Sequence, residues 1–207
     1  KLAAEELEAA EADIEFRNGR FSVVGTDRSI SLMDLAGRFP EKLTTMHVTE
    51  VIPSAFPNGC HVAEVEIDPE TGTVEVVRYN SVNDFGTVLN PLMVEGQIHG
   101  GVVQGIGQCL WEDARYDEEG QLLTGSFMDY PLPRATDIHS SIDWESHPVP
   151  ATTNPLGVKG CGEAGCAGSM TSVMNAIVDA LREVGIHHLD MPASPPRVWA
   201  AIRNARR

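Results

Sequence analysis

Apolar residues recur at helical spacing in two long runs. Ile98, Val102, Ile106, Cys109 and Leu110 share one side of the run that opens at Asn90-Pro91, and Met170, Val173, Met174, Ile177 and Leu181 share one side of Ser169 to Leu181. Each predicts a helix with one face in a core, the first with Asn90 as N-cap and Pro91 as first helical residue. Alternation replaces that period at Val62, Glu64, Glu66 and at Val74, Val76, Arg78, on either side of Asp68-Pro69-Glu70-Thr71-Gly72. This predicts two strands joined by an acidic turn, and Ile142 to Val149 predicts a further strand. Near the start, Leu2 to Ala12 is rich in Ala and Glu and predicts a short exposed helix. Ile14 to Phe16 and Phe21 to Val24 predict a hairpin turning at Asn18-Gly19, and Ser29 or Ser31 is placed to cap a short helix through Leu32, Leu35 and Phe39.

The pattern lapses from Pro40 to Gly59, which carries Pro53 and Pro57 and predicts a linker or extended arm. Tyr116 and Leu122-Leu123 bracket a second acidic turn, and Gly125 to Arg134 predicts an edge or crossover segment because Pro131 bars a central strand. His187 to Pro192 predicts a loop, and Pro195-Pro196 the start of a last short helix. The fold class expected is α+β, with mixed sheets and a buried helix after a glycine loop. Residues 1–59 form a helix-hairpin lobe and linker, and residues 60–207 a larger domain.

Two stretches carry candidate chemistry. In the first, Gly157, Gly160, Gly162, Gly165 and Gly168 leave a backbone able to approach a ligand closely and to turn N–H groups toward an anion at a helix start. Glu163 stands in the middle. A carboxylate against an apolar, ligand-filled loop suits a general base, because desolvation raises its pKa. The same residues also suit a plain tight turn with a Glu favouring the helix dipole. The spacing matches neither a phosphate-cradling P-loop nor a dinucleotide fingerprint. In the second stretch, Gln97, Gly101, Gln104 and Gln108 form a stripe opposite the apolar side, where a surface helix usually shows charge. Amides donate and accept, which suits a heterocycle with mixed edges. The alternative is a closely packed helix pair in which Gly100, Gly101 and Gly105 let backbones approach.

Charge narrows the partners. A net charge of −15 disfavours nucleic acid and anionic membrane surfaces. No apolar run reaches membrane-spanning length, and no secretory signal is visible, so a cytoplasmic location is expected. Cys60, Cys109, Cys161 and Cys166 are scattered, which suits a reducing compartment, and they lack the Cys-x4-Cys-x2-Cys run of an iron–sulfur site. Cys161, Cys166, His187 and His188 match no common zinc spacing, and no metal ligand is assigned.

Three ordered motifs then fall together: N-D-F-G-T-V-L-N-P over Asn83 to Pro91, V-E-G-Q-I-H-G-G-V-V-Q-G-I-G over Val94 to Gly107, and G-V-K-G-C-G-E-A-G over Gly157 to Gly165. With Gly125 to Tyr130 and His188 to Pro192, they resemble the C-terminal part of the molybdenum-binding subunit of the xanthine oxidase family, which includes aldehyde oxidoreductases and aerobic carbon monoxide dehydrogenase. The resemblance implies a molybdopterin cofactor, expected in the cytosine dinucleotide form. It matches Glu163 to the family's catalytic glutamate beside molybdenum, Gln97 to the glutamine that hydrogen-bonds the pterin, and Lys159, Gly160, Cys161 and Gly162 to backbone lining the metal centre. It further implies that the remaining domains of the subunit, an iron–sulfur subunit and a flavin (FAD) subunit are partners, that the assembly is oligomeric, and that the substrate is a small molecule: an aldehyde, an N-heterocycle or carbon monoxide. Cys161 and Cys166 depart from the family's more usual small aliphatic or hydroxyl residues. A stand-alone accessory fold that keeps the motifs without a cofactor is the rival reading.

Overall fold

The computed structural model describes residues 1–48 and 53–205. The chain divides into two compact units, Lys1–Val51 and Ile52–Arg207.

In the first unit, helix α1 (Leu2–Glu6) and a 3-10 turn at Glu11–Asp13 precede strands β1 (Ile14–Arg17), β2 (Arg20–Val23) and β3 (Ser29–Ser31), followed by helices α2 (Leu32–Arg38) and α3 (Pro40–Leu43). The β1–β2 hairpin turns at Asn18 and Gly19, both with positive φ, as its Asn-Gly pair requires. Two expectations need correction. The opening helix is shorter than Leu2 to Ala12 and is not wholly exposed, because Ala3 packs with Ile30 and Leu35 into a small core. Residues 29–31 add a third strand before the helix, and of the two serines it is Ser31 that caps, its Oγ accepting from Asp34 N at 2.9 Å. The expected arm from Pro40 to Gly59 begins with the four-residue helix α3, and part of it, residues 49–52, lies outside the described residues.

The second unit is built on a three-stranded sheet of order β4-β5-β6, from β4 (Asn58–Ile67), β5 (Val74–Asp84) and β6 (Ile142–Ser146). β4 and β5 are antiparallel with a bulge at Glu64/Val65, whereas β5 and β6 are parallel, so the sheet is mixed. Three helices complete the unit: α4 (Pro91–Leu110), α5 (Ala164–Leu181) and α6 (Pro195–Ala205). Asn90 caps α4 by accepting from Met93 N, and Pro91 is its first residue, as expected. Val74, Val76, Tyr79 and Phe85 meet Ile98, Val102 and Ile106 of α4, Val173 and Ile177 of α5, and Val198 and Ile202 of α6 in one core. Each such apolar side chain contributes on the order of 1.5–3 kcal/mol when fully buried, which fixes both long helices to the sheet. The expected hairpin at Tyr116 and Leu122 reduces to a single bridge around the turn, and Gly125 to Arg134 forms no strand.

Candidate functional site

The site begins where β5 runs out. Asp84, its last residue, accepts through Oδ1 from Gly86 N and Val149 N, each at 2.9 Å, and through Oδ2 from Lys159 Nζ at 2.5 Å. Both side chains of the ion pair are mostly shielded, Lys159 at 11 % and Asp84 at 13 % exposed. The Lys159 ammonium, with the two backbone N–H donors, holds the Asp84 carboxyl well below the usual carboxylate range. Backbone bonds run alongside: Lys159 N donates to Phe85 O at 3.0 Å and Thr87 N to Gly157 O at 2.9 Å. Asn154 seals the loop by accepting from Val158 N and donating to Val158 O. Gly86 and Gly157 both have positive φ, and a Cβ on Gly86 would collide with the Gly157 carbonyl, so the close approach demands glycine.

From Lys159 the chain crosses Gly160, Cys161, Gly162 and Glu163 before entering α5. A Cβ at Gly160 or Gly162 would meet nothing within 4 Å, and both glycines and Glu163 are exposed. The far end is fixed by backbone packing. A Cβ on Gly165 would lie 2.7 Å from Ile98 O and 2.9 Å from Val102 N, and one on Gly101 would lie 3.0 Å from Cys166 N. Glycines thus let α4 and α5 touch backbone to backbone. Ile98 and Val102 of α4 abut Gly165, in the first turn of α5.

The glutamine stripe divides on inspection. Gln97, Gln104 and Gln108 are exposed, whereas Gly101 is buried against α5, so it belongs to the packed helix pair together with Gly105. Gly100, offered as a packing residue in the alternative, faces open space. Glu163 is the N-cap of α5, exposed and with no side-chain capping bond. Lys159 directs its ammonium to Asp84, leaving only its backbone to the arch. Cys161 is half-buried against the core, and the Cys166 thiol is pushed up by burial and then by the charges of Glu163 and Glu112, which keeps it protonated at neutral pH. Among the described residues no three metal-ligating side chains converge.

Two features escaped the sequence reading. Asp84 lies inside a quoted motif, but its partner is 75 residues away. His61 bridges Tyr79 Oη, 2.6 Å from Nδ1, and Asn83 Oδ1, 3.0 Å from Nε2, and its ring packs where a Cβ on Gly168 would sit.

A family model described as molybdopterin cofactor-binding domain matches residues 1–139. The chain is 38 % identical to the nicotine 6-hydroxylase large subunit of Paenarthrobacter nicotinovorans over 98 % of its length, and 35 % identical to the carbon monoxide dehydrogenase large chain of Hydrogenophaga pseudoflava over 98 %. Among solved structures, a Cu,Mo carbon monoxide dehydrogenase superposes at TM-score 0.81 with 30 % identity, covering 99 % of this chain and 27 % of that one. Quinoline 2-oxidoreductase from Pseudomonas putida 86 follows at TM-score 0.76 with 32 % identity, covering 98 % of this chain and 27 % of its own. The chain therefore belongs to the molybdopterin-binding subunits of the xanthine oxidase family. It spans about a quarter of these two curated relatives, 26 % of each.

The residues present fit a pterin cofactor. Gln97 and Gln104 offer neutral donors and acceptors, Gly96, Gly100, Gly160 and Gly162 border open space, and the arch carries unbranched backbone beside a single carboxylate.

Proposed function

We propose that this chain is part of the large subunit of a molybdenum hydroxylase that oxidises a carbon centre with water-derived oxygen, and that Glu163 is its base. The observation that carries the reading is the exposed Glu163 carboxylate on a glycine arch that leads into α5, whose Gly165 abuts Ile98, the residue after Gln97. Gln97 binds the pterin edge, and the backbone of Lys159, Gly160, Cys161 and Gly162 lines the centre. When bound, the cofactor, in its cytosine dinucleotide form, accepts the two electrons of the oxidation. Glu163 takes a proton from the water that supplies the oxygen. The substrate is an aldehyde, an N-heterocycle or carbon monoxide; the relatives named for nicotine, quinoline and carbon monoxide support the last two. Domains completing the subunit close over Glu163 and supply the desolvation that this chain lacks, and iron–sulfur and flavin subunits carry electrons onward in a cytoplasmic complex.

Glu163→Gln in the assembled enzyme tests the role. The account expects kcat to fall by about 10²–10⁴ with molybdenum content unchanged. Undiminished turnover at full molybdenum content would remove Glu163 from the chemistry.

A further inference from the structure

We infer that Asp84 and Lys159 form a clamp that positions the Glu163 arch, making Asp84 a positioning residue for a reaction it does not touch. The inference rests on the proposed role of Glu163 and adds the device that aims it.

Three observations support the clamp. Between its ends the arch from Gly160 to Glu163 touches the core through half-buried Cys161, whereas a Cβ on either of its glycines meets nothing and the Glu163 side chain makes no capping bond. The direction of Glu163, two residues past Cys161, therefore depends also on the two ends of the arch. The α5 end is fixed by the contact of Gly165 with the Ile98–Val102 backbone. At the other end, the backbone bonds of Gly157, Val158 and Lys159 all lie on one short stretch, and the Lys159 side chain ties that stretch to the end of β5 through Asp84.

Asp84 is equipped for this. Its Oδ1 gathers the N–H of Gly86, on the β5 exit, and of Val149, on the segment after β6, while its Oδ2 takes Lys159. One carboxylate thus joins three chain segments, one of them the stretch that enters the arch. A shielded pair of this kind is costly to break on one side only, because the remaining charge loses its partner. Loss of either partner therefore frees the arch, and with it the direction of Glu163, four residues beyond Lys159. A misplacement of about 1 Å in a catalytic group is enough to cost on the order of 100-fold in rate.

The test uses the assembled enzyme carrying Asp84→Asn, Lys159→Met or Lys159→Arg, each alone and in a Glu163→Gln background. Amide hydrogen exchange at Gly157, Val158 and Lys159 should accelerate by about tenfold or more in Asp84→Asn and Lys159→Met, with α4 amides unchanged. In the same variants kcat should fall on the order of tenfold or more with KM within about twofold, and Lys159→Arg should recover most of the loss. With Glu163 already replaced, Asp84→Asn should cost less than about twofold further, because both changes disable one unit. Unchanged exchange at the three amides overturns the clamp, as do losses that multiply across the double variant. If Asp84→Asn fails to fold, Lys159→Met decides by the same measures. Should Glu163→Gln alone leave turnover intact, the base assignment fails, and the exchange rates still settle whether the pair holds the arch.

Discussion

The two ends of the glycine arch are fixed by different physics. At the α5 end, Gly165 and Gly101 bring two helix backbones into direct contact, and every atom involved is uncharged. At the β5 end, a carboxylate and an ammonium hold the chain, helped by N–H groups that point at the same carboxylate. Packing is unforgiving of added volume and indifferent to pH, whereas an ion pair tolerates volume better and depends on protonation. The arch between them carries Glu163, exposed and without a side-chain capping bond.

The comparison can be broken most forcefully at the packed end. Gly165→Ala places a methyl 2.7 Å from the Ile98 carbonyl oxygen, a backbone atom that cannot rotate away. Denaturant unfolding should show a loss of about 1–3 kcal/mol, and molybdenum content should fall with it; an unaltered midpoint would mean that the helices separate freely there.

Acid should act on the other end. The Asp84 carboxyl is held below its usual value, first by Lys159, so its folded-state pKa is the lower one. Its stabilising contribution is therefore complete above the ordinary Asp value of about 4 and is lost as pH falls below it. Unfolding midpoints measured from about pH 6 down to about pH 3 should decline less in Asp84→Asn than in the parent chain. Equal slopes would show that the ion pair contributes nothing to acid sensitivity.

The smallest effect is expected at Gly100, on α4 one residue before the packed Gly101. A Cβ there meets nothing within 4 Å, so Gly100→Ala should stabilise the isolated helix register by about 0.5–1 kcal/mol. If the open side of α4 lines the pterin, the same change lowers molybdenum retention while raising the unfolding midpoint. The opposite signs expected for two Gly→Ala substitutions in one helix pair separate packing from ligand approach.

Much of this architecture was legible in the chain. The periods at Ile98 to Leu110 and Val173 to Leu181, the Asn90-Pro91 start and the Asn18-Gly19 turn are local signals, and the structure honours each. The parallel pairing of β6 with β5 was not legible, since its partners lie more than sixty positions apart and no turn specifies them. Spacing leaves Gly101 open between the amide stripe and a packed helix pair; lacking a side chain, a glycine gives no sign of which face it serves, and contact with Gly165 decides it. Glu163 and Gln97 are legible only through the motifs they stand in.

The central claim is that a molybdenum cofactor sits in the open space bordered by Gln97 and the Gly160–Glu163 arch. Anomalous diffraction at the molybdenum edge, from crystals of the assembled enzyme, tests it most directly. The account predicts one strong peak per chain beside the Glu163 carboxylate, with the pterin against the Gln97 amide. A molybdenum peak remote from the arch, or a fully assembled enzyme with no molybdenum at all, would contradict it.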